Sequence, residues 1–220
     1  MKEGIKAYPF KEASDSSKAA TIMTTQEISL ASSVFVPVAI GFFGLAVGYF
    51  VWGGQALFGF PKETPEVNRT MGLWGFWMPG FMQFITGVYL TVGLSWFGVF
   101  EKCPPQYMAA VAFTAYGVHW CVLGYRRYLG ASSEPDAWMA IPFLLLSILG
   151  AIVFAAAGSI PVVILFVGVA LIYVTEIPTR FGVFRGQRLV GMWQVLMGIW
   201  LMYLTYATVF NIALGRQWWT

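Results

Sequence analysis

Charge is scarce in this 220-residue chain: Asp, Glu, Lys and Arg together make up 10%, and all ten acids and thirteen bases fall outside the long apolar runs or at their ends. That leaves no carboxylate relay and no buried ion pair of the kind a proton-driven pump accepts, at about 2.5–3.5 kcal/mol for each central charge. Glu176 is the nearest candidate. Histidine occurs once, as His119, and cysteine twice, as Cys103 in a loop and Cys121 in an apolar run, so neither a zinc site nor a disulfide is expected. The chain also lacks a glycine-rich phosphate loop, a nucleophile set beside a base, and a dense basic cluster. These absences argue against an enzyme, against a cofactor and against nucleic acid as a partner.

What is present is apolar surface, 58% of residues with a mean hydropathy of +0.69, more than a soluble domain of this length can hide. Runs of about 20 uncharged apolar residues read as spanning helices. The expected fold class is all-α, a polytopic membrane protein of six transmembrane helices. The domain organisation is a polar N-terminal tail over 1–32, a membrane domain over 33–215 and an interfacial tail over 216–220 that holds Trp218 and Trp219. The tail over 1–32 contains no apolar core of signal-peptide length, so no cleavage for secretion is expected.

The spans read as 34–58, 71–100, 108–125, 137–157, 161–175 and 189–214. The second is long enough to break, at Pro79-Gly80. The fourth reads as plain packing, and the fifth is short for a full crossing. Orientation follows from the bases. With the distant Lys2, Lys6 and Lys11 discounted, the terminal side keeps Lys18, Lys102 and Arg216, while the other loops hold Lys62, Arg69, Arg126, Arg127, Arg180, Arg185 and Arg188, which favours both termini outside.

Polar residues inside the spans are few, and their spacing is informative. Gly41, Gly44 and Gly48 share a flank of the first span. Gly80, Gln83 and Gly87 line one face of the second, which sets the Gln83 amide against protein rather than lipid. In the third span Tyr116, His119 and Trp120 share one side, placing a phenol, an imidazole and an indole together. A lone His in such a setting either hydrogen-bonds a neighbouring helix or acts on a substrate. Gln194, Gly198, Thr205 and Thr208 form a weakly polar stripe on the last helix that serves as helix glue or lines a passage.

Three stretches resemble the acetate uptake transporter family, the succinate-acetate permeases. Val36-Pro37-Val38-Ala39-Ile40-Gly41-Phe42 keeps the first proline and the glycine of that family's Asn-Pro-Ala-Pro-Leu-Gly-Leu run. Gly80, Gln83, Gly87, Gly93 and Phe97-Gly98 are similar to its second helix, with Leu90 in place of a glutamate. Ala112-Phe113-Thr114-Ala115-Tyr116-Gly117-Val118-His119-Trp120 is similar to its Phe-x-Ser-Tyr-Gly-x-Phe-Trp signature, with His119 in place of an aromatic. Tyr203 to Asn211 is similar to its last helix, with Thr208 where a glutamate is common.

The resemblance implies a six-helix protomer in a homo-hexamer, with cytoplasmic termini and a path in each protomer for acetate, succinate or kindred acids. The path is expected to involve Pro37, Gly41, Gln83, Gly87, Thr114, Tyr116, His119, Trp120, Gln194, Thr205 and Thr208. The implied location is a bacterial inner membrane. Urea or short-chain amide channels, which have this architecture with termini outside, are one alternative; a non-transporting membrane scaffold is another. With no fixed cation inside the spans, the acid is expected to pass in its neutral form. An additional step in flux near pH ~6 to 7 would mark His119, whose unperturbed pKa is about 6.5.

Overall fold

The computed structural model describes residues 38–96 and 104–219. Expectations for 1–37, Pro37 among them, and for Phe97, Gly98, Cys103 and Thr220 lie outside the described residues. Six helical segments follow one another: α1 (Val38–Phe58), α2 (65–95), α3 (Pro105–Leu129), α4 (Asp136–Ala156), α5 (Ile160–Arg180) and α6 (Gln187–Leu214). All but α2 are long and apolar enough to cross a membrane. The protein is an all-α, multi-pass integral membrane protein.

Local chemistry sets the ends of these helices. Thr64 caps α2, its hydroxyl accepting from the Val67 N–H at 3.2 Å, and Pro65 takes the first position, where no N–H is needed. Pro105 does the same for α3, and Pro161 stands at the second position of α5. Gly130 closes α3 with φ of +67°, which a side chain would strain. The break expected at Pro79-Gly80 is a π-helical turn, Phe76–Phe81, between Pro65–Gly75 and Met82–Ser95. Pro79 has no N–H for the carbonyl four residues back, and the wider turn relieves its ring. A second π turn, Tyr49–Gly53, interrupts α1.

The fifth span differs from its reading as a short segment ending near Thr175. It runs 21 residues, Ile160–Arg180. Glu176 and Pro178 look like a helix end in sequence, yet Glu176 is paired with Arg180 one turn on, and Pro178 costs only one hydrogen bond in the last turns. The helix therefore continues.

Glycines bring α1 and α3 against α2. A Cβ on Gly117 would stand 2.4 Å from the Phe84 backbone nitrogen, and one on Gly124 2.4 Å from that of Phe76; a Cβ on Gly87 would meet Thr114 N at 2.4 Å. On α1, Gly41 lies against the Phe113 ring, Gly44 against the Met78 carbonyl and Gly48 against the Pro79 ring. These small-residue faces are thus used for helix contact inside the protomer.

Candidate functional site

Two cavities lie at opposite ends of the bundle. The first, of about 450 Å³, takes Phe42 and Leu45 from α1, Gln83 from α2, Tyr116 from α3, Val169 from α5 and Leu204 and Thr208 from α6, with Gln106 near its rim. The second, of about 760 Å³, takes Trp52 and Gln55 from α1, Asn68 from α2, Arg126 and Arg127 from α3, Glu176 and Arg180 from α5, and Gln194 from α6. It forms a polar vestibule.

On each contributing helix the same register leads from one to the other. Leu45 leads through Tyr49 to Trp52, Tyr116 through Trp120 to Arg127, Val169 through Tyr173 to Glu176, and Leu204 through Leu201 to Gln194. The middle members, Tyr49, Trp120, Tyr173 and Leu201, are all buried. They lie between cavity and vestibule and line neither, as a mostly aromatic layer. Leu45 and Trp52, like Val169 and Glu176, are seven positions apart, and the pairs on α3 and α6 are eleven and ten apart, so the stretch is about 10–16 Å long at 1.5 Å per residue. Tyr49 meets Trp120 edge-on at 6.0 Å, and Tyr173 stacks on Tyr116 at 6.4 Å.

Gln83 is 1% exposed, and its Oε1 has no hydrogen-bond partner among the described residues. Gln106 Oε1, lining the same cavity, is also unpartnered. An orphaned buried acceptor costs about 1–3 kcal/mol, so a guest with an N–H or O–H is stabilised there. Amide oxygen and nitrogen can be exchanged by a flip, so the glutamines can offer either a donor or an acceptor.

Tyr116 Oη lies 2.7 Å from Ser147 Oγ, whose own proton goes to the Phe143 carbonyl at 2.7 Å. Tyr116 therefore donates to Ser147, and the phenol is held by α4, the span that reads as plain packing in sequence. His119 stands 4.4 Å from the Phe143 ring, and its Nε2 lies 3.3 Å from Tyr173 Oη on α5. The imidazole thus holds a hydrogen bond to a neighbouring helix while touching the aromatic layer.

The expected path residues part company here. Gln83, Tyr116 and Thr208 meet in the cavity, Trp120 sits in the layer and Gln194 in the vestibule. Thr114 and His119 line a lateral groove between α2, α3 and α4 instead, and Thr114 returns its proton to the Ala110 carbonyl. Gly41 and Gly87 serve helix contact. Thr205 bonds back to the Leu201 carbonyl. Tyr49, Phe143, Ser147 and Tyr173 were not singled out from sequence, where an aromatic in a run of apolar residues gives no sign of which face it takes.

The vestibule also corrects the expectation of no buried ion pair. Asp136, buried at the start of α4, lies 3.0 Å from Arg126 and 3.1 Å from Arg180, and Glu176 accepts from Arg180 Nε at 2.6 Å. Three helix ends are joined by this cluster. The charges lie near the ends of their helices, as the sequence indicates, but they converge only when α3, α4 and α5 pack. Asp136→Ala should lower the melting temperature in detergent, by the equivalent of about 2 kcal/mol, because Arg126 remains half-buried without its partner while Arg180 keeps only Glu176. Arg126→Gln added to it should restore part of the loss, and a strictly additive double variant would mean that the pair is not coupled.

The tail after α6 runs back over that helix. The Trp218 N–H donates to Asn211 Oδ1 at 2.6 Å, and Tyr203 Oη donates to the Trp219 carbonyl at 2.9 Å. Trp218 stacks on Tyr203.

No protein-family model matches the chain, and no curated protein matches it in sequence. Among solved structures it is similar to the bacterial acetate channel SatP, with 17% identity and a TM-score of 0.64, over 84% of this chain and 97% of that one. This chain has the fold of that acetate channel.

Proposed function

We propose that the protein is a divergent member of the acetate uptake transporter family and passes small carboxylic acids, acetate first and succinate as a further candidate, through each protomer. One observation carries the reading: a buried Gln83 whose Oε1 has no partner among the described residues, in a cavity parted from a polar vestibule by a mostly aromatic layer. The layer contains no charged side chain, so an anion would give up its hydration for phenol, indole and aliphatic contacts alone. The neutral acid crosses at lower cost. It presents one O–H to Gln83 and a methyl group to Phe42, Leu45 and Val169.

The same glutamine amide pairs equally well with an amide, which supports urea or a short-chain amide as a second reading. The two part on one test. Flux of isotopically labelled acetate, succinate, urea and acetamide into proteoliposomes is compared with protein-free vesicles. Acetate flux should exceed the vesicle leak and rise as external pH falls toward the acid's pKa, and Gln83→Leu should lower it about tenfold with protein yield unchanged. Flux confined to the amides would establish the second reading, and flux of none of the four would leave a scaffold. His119→Phe separates the titration of the acid from that of the protein. It should leave the acid-form dependence unchanged, because the imidazole is buried against Tyr173 and lines the lateral groove rather than the cavity.

The proposed setting is a bacterial inner membrane, and the proposed assembly a homo-hexamer. With the glycine faces consumed inside the protomer, that ring would be built through outward apolar surfaces such as Trp74, Trp77 and Phe81 on α2.

A further inference from the structure

Arg127, in the last turn of α3, is held by neutral groups; Glu63 shares the vestibule with it but makes no ion pair with it. Its Nε and Nη2 donate to Asn68 Oδ1 at 3.1 and 2.8 Å, Nη2 also donates to Gln55 Oε1, and its guanidinium carbon lies 4.8 Å over the Trp52 ring. Gln55 is itself buried and fixed, its Nε2 donating to the Pro61 carbonyl at 2.9 Å. Every acceptor is neutral. The neighbouring arginines differ: Arg126 and Arg180 share Asp136, and Arg180 adds Glu176. Arg127 makes no ion pair among the described residues, and its Nη1 makes no hydrogen bond there. Beside it, Arg126 Nε is buried with no acceptor.

Both arginines line the vestibule. A basic residue in the last turn of a helix is favoured by the helix dipole, and that suffices to explain why arginines occur at 126 and 127. It does not explain an amide, a second amide and an indole arranged around one guanidinium. Such a frame fixes the planar fork in advance, so little side-chain entropy is lost when an anion arrives.

We propose that Arg127, with Arg126 Nε as a second donor, forms a binding site for a small carboxylate in the vestibule. The identification of the anion as a carboxylate rests on the function proposed above; the requirement for an anion rests on a guanidinium that no described carboxylate contacts directly. The site discriminates by charge, accepting acetate and refusing acetamide, whereas the Gln83 cavity can pair with either. It concentrates the anion at the mouth of a passage whose aromatic layer takes the neutral acid. Because α1, α2, α3, α5 and α6 all contribute to the walls, the ligand comes from water.

The test is titration of the full chain, purified in an uncharged detergent free of phospholipid, with acetate, acetamide and inorganic phosphate, by calorimetry or ligand-observed NMR. Acetate should bind saturably, and acetamide at least about tenfold more weakly. Arg127→Lys keeps the charge and loses the fork, and should weaken acetate about tenfold. Acetamide binding as tightly as acetate and equally weakened in Arg127→Lys would overturn the site, and so would acetate binding unchanged in Arg127→Lys. Phosphate binding more tightly than acetate would overturn the carboxylate assignment. Acetate binding that depends on Arg127 in a protein with no acetate flux would leave the site standing and remove the transport function. Flux that depends on Gln83, with binding indifferent to Arg127, would do the reverse.

Discussion

Gly117→Leu should leave almost no folded protein in detergent, measured as the monodisperse fraction on size exclusion and the loss of a cooperative melt. At this position α3 touches the α2 backbone, with no flexible side chain between them to give way. A Cβ there would stand 2.4 Å from Phe84 N and 2.6 Å from its Cα, so the helices would have to separate along their whole contact. Overpacking a well-filled core costs about 1–3 kcal/mol even where side chains can adjust, and this contact offers only main chain. Gly117→Ala should show the same defect in milder form. Gly54→Ala is the control, since nothing lies within 4 Å of its Cβ, and its melt should not fall. A normal melt for Gly117→Leu would mean that the α2–α3 contact is looser than the backbone geometry requires.

Tyr49→Ala should raise acetate flux about tenfold and admit neutral solutes such as glycerol that the unaltered protein excludes. Tyr49 is buried in the layer against Trp120, and its ring is one of four side chains that fill the stretch between cavity and vestibule. Removing it opens space at the driest point, where hydration lost by a permeant costs most. The same truncation should cost about 3–5 kcal/mol of stability, so flux is compared per folded protomer. Glycerol and acetate flux unchanged in folded Tyr49→Ala would place the permeation route elsewhere.

Much of this architecture can be read from the chain before any packing is known. The apolar runs give the number and order of helices because the bilayer sets their length. Pro79 marks the π turn because a missing N–H has a local consequence wherever the helix lies. Gln83 reads as interior because an amide flanked by glycines has no stable place against lipid, and its burial agrees. The aromatic layer is hidden for the opposite reason. Tyr49 and Tyr173 are buried while Tyr89 and Tyr125 are exposed, yet all four sit among apolar neighbours, and no periodic contrast separates a lipid face from a core face.

The ion cluster is hidden by distance along the chain. Arg126 and Asp136 are ten residues apart across a turn, and Arg180 a further 44 on. Each looks like a solvated helix end, and only the convergence of α3, α4 and α5 turns them into one network. Arg127 is hidden more deeply still, since its partners Asn68, Gln55 and Trp52 are neutral and carry no charge pattern. The glycine flanks show a limit of another kind: their spacing announces close helix contact without saying whether the partner helix belongs to the same protomer.

The central claim is that the Gln83 cavity, the aromatic layer and the vestibule form one route for a carboxylic acid. The most direct measurement is uptake of labelled acetate into proteoliposomes at a series of external pH values, for the unaltered protein and for Gln83→Leu, against protein-free vesicles. The account predicts protein-dependent uptake that grows as pH falls with the neutral acid and drops about tenfold in Gln83→Leu. Uptake equal to that of protein-free vesicles at every pH, from protein shown to be folded, would contradict it.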